Sequence, residues 1–359
     1  MSKQGAAGDP VHAGSPDAAV TAPVWSSGKG RGRRGRGRRQ DESVMVPEAE
    51  FRSYYGRPIL KAPVWTHDIA IYLFTGGLAA GSSLVAAGAD VTGAPALRRA
   101  GRVTSMGALL ASTYFLINDL GRKERFYNML RVAKPTSPMS VGTWILAAYG
   151  GLAGAAAVSE AAPLLPRRGP LGLLRTVLPP AGSAAGFGAA AVAPALATYT
   201  AVLFADTAVP SWHEVYRELP FVFAGSALAS GGGMGLVLAP TAQAGGARRA
   251  AVLGAAAELA GTHLVEHSHG LLSEPYREDR PGRQLRAARA LTVAGAAGAV
   301  LGRRSRVISA LAGTSLLAGS LLTRFGVFYA GVASTKDPKY VVVPQRERLQ
   351  QGRPARSDR

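Results

Sequence analysis

The chain has 359 residues, 47% of them hydrophobic and 18% charged, with 45 glycines, no cysteine and a formal net charge of +19. The missing cysteine excludes thiolate-ligated iron–sulfur clusters, c-type haem attachment and disulfides within this chain. The positive charge collects in tails and loops around long apolar windows, where Lys and Arg report topology and anionic lipid rather than nucleic acid.

Residues 1–45 are Gly, Ser, Pro, Ala and Arg, including "KGRGRRGRGRR" at 29–39. Almost nothing apolar is available there to offset ordering entropy, so this arm is expected to be disordered and basic. Paired arginines at 33–34 and 38–39 are not followed by an apolar stretch, which argues against a secretion signal. A cytoplasmic arm held near anionic headgroups is the simpler expectation. "FRSYYGRPILKAPVW" (51–65) then leads into the membrane, with Tyr54, Tyr55 and Trp65 suited to the interfacial belt.

The mean hydropathy of +0.11 understates a hydrophobic middle diluted by polar tails. Windows near 20 residues, the length that crosses about 30 Å of hydrocarbon, recur through residues 46–330. Eight spans are expected, at roughly 67–89, 102–119, 140–159, 181–204, 219–239, 249–267, 286–302 and 306–330. The fold class is thus an all-α integral membrane protein of eight helices, arranged as two four-helix bundles, followed by a polar C-terminal tail at 331–359. Small-residue runs such as "GGLAAGSS" and "AGSAAGFGAAA" allow the close backbone approach on which helix association in lipid depends.

Lys and Arg are nearly balanced between the loops of the two faces, so the tails decide the orientation. The N-terminal arm to Lys61 and the C-terminal tail are both strongly basic, which favours both termini in the cytoplasm of a cell-membrane protein. An even number of spans agrees.

The segment "DLGRKERFYNMLRVAKPTSPMS" (119–140) is far richer chemically than a helix connector requires. Arg122 and Arg125 follow Asp119 at three and six residues, a helical spacing that predicts one charged face. Pro135, Ser137 and Pro138 belong to a turn, and Ser140 is expected to cap the third span. The structural reading is a rigid interfacial loop touching lipid phosphate; the functional one is a docking surface or the lid of a polar pocket.

Polar residues at span edges are costly in lipid and are functional candidates by default. His67 and Asp68 open the first span, Tyr72 lies one turn deeper, and Tyr199 sits within "ATYTAVLFADTAVPSWHE" of the fourth. A carboxylate with two phenols matches what a quinone headgroup needs: hydrogen-bond donors and a proton acceptor. Read singly, each tyrosine is an interfacial anchor, and His67 with Asp68 a helix-start cap. Asp206, Glu258 and Arg324 form a second set, a candidate proton relay. "HLVEH" (263–267) carries the H-x-x-E-H zinc-protease pattern without an evident third ligand, and the remaining histidines lie near span ends rather than in facing pairs. Neither a metal site nor haem is expected.

With these residues in view, the stretches "YYGRPILKAPVW…YLFTGGLAAGS", "DLGRKERFYNMLRVAKPTSPMSVGTW", "TYTAVLFADTAVPSWHE" and "DPKYVVVPQRER" resemble the NrfD/polysulfide-reductase membrane-subunit family over about residues 50–350. The resemblance implies an eight-helix subunit without haem or iron–sulfur cluster. It would exchange electrons between menaquinone or ubiquinone and a ferredoxin-like iron–sulfur subunit serving a molybdopterin enzyme, such as a polysulfide reductase or formate dehydrogenase. The family's headgroup-contacting positions match Asp68, Tyr72 and Tyr199, with His67 as a substitute where some members carry histidine in place of Tyr72. The 119–140 loop becomes the docking side for the iron–sulfur subunit. Some members place that side outside the cytoplasm; the charge count here puts it inside. The alternatives are a transporter or proton-conducting protein using Asp206, Glu258 and Arg324 without quinone chemistry, and a plain membrane anchor for a redox enzyme.

Overall fold

The computed structural model describes residues 58–352, and within them every regular element is helical. The basic arm, Tyr54 and Tyr55 lie outside the described residues. The elements run α1 His67–Val91, α2 Pro95–Asn118, a 3-10 helix Lys123–Leu130, α3 Pro138–Ser159, a 3-10 turn Ala162–Leu164, α4 Pro170–Ala205, α5 Pro210–Glu214 and α6 Leu219–Leu238. They continue with α7 Gly245–His267, a 3-10 turn Gly270–Ser273, α8 Glu274–Arg277, α9 Asp279–Leu301, α10 Arg306–Lys336 and α11 Lys339–Gln350.

Five segments are long and apolar enough to cross a membrane: His67–Val91, Pro138–Leu164, Leu171–Ala205, Leu219–Leu238 and Arg306–Lys336. The expected count of eight is therefore met by five on length and composition. α2, α7 and α9 have comparable lengths of 24, 23 and 23 residues, but charge and Ser/Thr lower their apolarity. Within the stretch read as a polar tail, α10 continues to Lys336 and α11 forms a further helix.

Packing follows chain order. α1 to α4 group together, as do α6, α7, α9 and α10, and the groups meet where α1 lies on α6. Glycine makes that seam: a Cβ on Gly81 would stand 1.8 Å from the Ala227 carbonyl oxygen, and one on Gly231 would meet the Gly81 backbone at 2.2 Å. Only residues without a side chain permit such contact, which supplies the dispersion that lipid-immersed helices rely on. α1 is the central helix, 83% of its apolar window being buried, whereas α3 at 22% presents most of its surface outward.

Buried polar groups act as internal ties. The Tyr149 hydroxyl lies 2.7 Å from both Ser83 and Ser105 and donates to the Ala79 carbonyl at 2.6 Å, joining α1, α2 and α3. At the membrane face opposite the α1 entrance, Arg102 pairs with Asp90 at 2.8 Å and Glu160 at 2.9 Å, and Arg98 pairs with the same two carboxylates. Arg102 is only 4% exposed at its side chain. It is internal cross-linking rather than a loop charge, a role that counting arginines by position does not reveal. Removing one partner of such a buried network costs about 3–5 kcal/mol.

Candidate functional site

A cleft of about 560 Å³, counting its open mouth, lies where α1 begins, α2 ends, α3 begins and α4 ends. Chain alternation brings these four ends to one membrane face. Tyr72 and Trp65 come from α1 and its entrance, Asp119 from the end of α2, Met129 from the 3-10 helix, Met139 and Gly142 from α3, and Tyr199 from α4. Most of that space is its open mouth, and apolar walls with a few polar groups are the usual character of small-molecule sites.

Local sequence chemistry explains each position. Thr66 caps α1 by accepting from the Asp68 amide, and donates its own hydroxyl and amide to Asp119 Oδ1 at 2.7 and 2.9 Å. Asp119 therefore fastens the α2 end to the α1 start. The expected Asp119–Arg122–Arg125 face does not form, because α2 stops at Asn118 and Arg122 is extended before the 3-10 helix starts at Lys123. That break cancels the helical spacing, and both arginines are exposed. α3 also starts earlier than expected, with Pro138 in its first turn and Ser137 at the cap position. A proline there is preorganised for helix and needs no amide partner. Ser140 instead closes the loop, accepting from the Lys134 amide at 3.0 Å and donating to the Val132 carbonyl at 2.9 Å. Pro135 lies in the preceding turn, where the Ser137 amide donates to the Lys134 carbonyl.

Tyr72 is 2% exposed and Tyr199 half-buried, and both line the cleft. Gly142 is what lets α3 cross the Tyr199 ring. Trp65 is held in an aromatic block, stacked on Phe204 at 5.7 Å and Trp212 at 5.9 Å, and Phe204 stacks on Trp212 at 4.1 Å. It is a packed wall of the site as well as an interfacial residue.

Asp68 is not among the lining residues. Its carboxylate accepts from the Asn118 side chain, whose oxygen in turn accepts from Lys123 at 2.6 Å. His67 lies 3.6 Å from Asp68 with its ring 65% exposed. The four residues selected for the first site thus divide, Tyr72 and Tyr199 in the cleft, Asp68 and His67 at its outer edge. The second set divides too. Asp206 is exposed at the end of α4, while Glu258 and Arg324 are both deeply buried in the other helix group. In "HLVEH", His263 and His267 stack on each other at an exposed face, and the buried Glu266 turns to Arg289. The three side chains do not converge, and no metal-binding group of side chains occurs among the described residues.

Sequence reasoning missed Thr66, Asn118, Met129, Met139 and Gly142. Only Gly142, a glycine directly before the bulky Thr143-Trp144 pair at a helix start, carried a local signal of close approach.

A membrane-embedded helical bundle with a cleft at one face is the class the architecture defines. The family model described as "Polysulphide reductase, NrfD" matches residues 59–263, more than half of the chain, and the protein belongs to the NrfD family. Membership points to a membrane subunit of an oxidoreductase complex. The match contains the whole cleft and ends within α7, before α10. No curated protein matches the chain.

Proposed function

We propose that this protein is the quinone- or quinol-reactive membrane subunit of a multi-subunit oxidoreductase. It would exchange electrons between menaquinone or ubiquinone and a ferredoxin-like iron–sulfur partner of a molybdopterin enzyme of the polysulfide reductase or formate dehydrogenase kind. The observation that carries this reading is the joint presence of Tyr72, Tyr199 and Asp119 in one apolar cleft at a membrane face. The fit to a quinone headgroup is chemical: leucine, methionine and tryptophan walls suit a flat ring, and two phenols can donate to its carbonyl oxygens. When bound, a quinol supplies two electrons and two protons on oxidation.

The chain's own residues hold and deprotonate. Tyr72 and Tyr199 donate hydrogen bonds that fix the headgroup, and the Met and Trp walls exclude water. Asp119 is the one carboxylate lining the cleft among the described residues, and both of its bonds to Thr66 fall on Oδ1, so Oδ2 is the oxygen left to receive a proton. Electrons pass to or from the partner, since this subunit has no cysteine to hold a cluster. Docking falls to the exposed 3-10 helix, where Arg122, Lys123 and Arg125 stand beside exposed Phe126 and Tyr127. A basic rim around aromatic anchors suits an acidic protein surface. The basic tails favour a cell-membrane orientation with both termini and this face in the cytoplasm.

The direct test is binding of a quinol analogue to the purified protein, followed by quenching of Trp65 fluorescence. Saturable quenching that is lost in Trp65→Phe supports the cleft; quenching that persists at equal affinity in Tyr72→Ala and Tyr199→Ala overturns it.

A further inference from the structure

Away from the cleft, the second helix group encloses a carboxylate and a guanidinium that are incompletely satisfied. Glu258, midway along α7, is 2% exposed and accepts from the Thr323 hydroxyl at 2.6 Å through Oε1. Its Oε2 has no hydrogen-bond partner among the described residues. Arg324, also 2% exposed, donates from Nη2 to the Phe223 carbonyl at 3.0 Å and lies 3.9 Å above the Phe223 ring. Its Nε and Nη1 have no partner there either, and no hydrogen bond joins Arg324 to Glu258. Buried polar atoms in native proteins are nearly always paired, and ionisable groups at membrane depth mark ion and proton pathways.

A route reaches this carboxylate. Glu258 lines a small pocket between α7, α9 and α10, together with Thr262, Thr292, Thr323 and Arg289. Arg289 is 41% exposed at its side chain and pairs with Glu266. Glu266 lies eight residues along α7 from Glu258, about 12 Å at the helical rise, toward the membrane face that also carries the α1 entrance. The pocket thus joins a partly exposed ion pair to a buried acid, along threonine hydroxyls. Its enclosed space of about 10 Å³ is room for about one water molecule and too little for an organic ligand.

We propose that Glu258 is a proton-binding site that exchanges with the aqueous phase through this threonine-lined pocket, and that Arg324 reads its charge. The step is a proton transfer alone: water in the pocket delivers a proton to Oε2, the carboxylate becomes a neutral acid, and the reverse step returns the proton by the same route. Among the described residues, the charged groups facing it are Arg324 from α10, Arg289 from α9 and Glu266 on its own helix; α6 and α1 contribute none. When Glu258 is neutral, Arg324 loses its buried counter-charge. Its guanidinium lies against Gly77 of α1, where a Cβ would stand 3.2 Å from Nη2. Gly77 is five residues, about 7.5 Å along the helix, from Tyr72 of the cleft. The inference goes beyond quinone binding and does not depend on it.

Infrared difference spectroscopy of the full-length protein in lipid nanodiscs, stepped between acid and alkaline buffer without quinone, tests it. A carboxylic C=O band should appear on acidification, be absent in Glu258→Gln, shift in frequency in Thr323→Val, and exchange in D₂O more slowly in Thr292→Leu. Absence of any band that responds to Glu258→Gln would overturn the proton site. Should that variant not fold, an acid band indifferent to Thr323→Val would overturn it equally. Unchanged exchange in Thr292→Leu would overturn the route.

Discussion

Gly142 and Tyr199 touch so closely that a Cβ at position 142 would stand 2.1 Å from the tyrosine ring. α3 therefore crosses α4 directly over a side chain that lines the cleft, and the glycine sets where that ring can lie. Gly142→Ala must push the ring aside or separate the helices. Overpacking of this kind costs about 1–3 kcal/mol. The expected result is a modest loss of thermal stability with a much larger loss of quinol-analogue affinity, read by fluorescence titration. Equal affinity in the alanine variant would show that Tyr199 is not a contact of the bound headgroup.

The two phenols are expected to contribute separately. Tyr72→Phe and Tyr199→Phe keep the rings, and with them the cleft shape, but remove one donor each. A hydrogen bond is worth about 1 kcal/mol net, roughly fivefold in affinity. Each single variant should weaken binding by about that factor while the complex still assembles on purification. Wild-type affinity in both would move the site elsewhere.

Asp119 and Asp68 separate the proton acceptor from its neighbour. Both Asp119 bonds to Thr66 use Oδ1, so Asp119→Asn can keep them and lose only the protonatable oxygen. A positioned base contributes on the order of 10²-fold or more. Quinol-coupled kcat should fall about that far in Asp119→Asn with KM little changed. Asp68→Asn, whose side chain is bonded to Asn118 outside the cleft lining, should cost much less. A larger loss in Asp68→Asn would restore Asp68 as the working acid.

Arg122 and Arg125 are free of Asp119 and point their charge outward, which makes them available to a partner. Replacing both by alanine should release the iron–sulfur subunit in a pull-down, whereas either alone should weaken capture and make it less sensitive to salt. Exposed charge pairs act over a Debye length of about 8 Å at physiological salt, so raising the salt should mimic the double variant. Full retention of the partner by the double variant would place docking elsewhere on this face.

Much of the helix placement was legible because lipid imposes it. Every span must be apolar for about 20 residues, and that is a property of composition along the chain. The first and last of the five apolar segments fall where hydropathy put them. The ends were less legible: α2 begins at Pro95 rather than near 102 because Arg98 and Arg102 find carboxylates inside the bundle. The site was legible in its phenols, whose residue type at a span edge is itself a signal. It was not legible in Asp119, where helical spacing pointed to arginines and the observed partner is Thr66, 53 residues away. Spacing rules hold only while the helix continues, and no local pattern announces a bond between the ends of two helices.

The C-terminal helix gives a prediction about pH. Lys339 donates to Glu274 at 2.9–3.0 Å, and the Tyr340 hydroxyl donates to the same carboxylate at 3.2 Å, so α11 is clasped to α8 at the cleft face. The hydrogen bond from Lys339 holds the Glu274 carboxyl below the usual carboxylate range, and that from Glu274 raises the Lys339 ammonium. Burial first, with the neighbouring Glu274 charge adding to it, pushes the Tyr340 phenol up to about 12. A depressed acid stabilises the folded form above its unfolded pKa and loses that contribution as pH falls through its folded one. A raised base stabilises below its unfolded pKa and loses the contribution as pH rises through its folded one. The clasp should therefore hold across neutral pH and open in strong acid and in strong alkali. A spin label at Arg346, introduced as Arg346→Cys, should become mobile at both extremes. In Lys339→Ala it should already be mobile at neutral pH, and an immobile label there would mean that α11 is held by its apolar contacts instead.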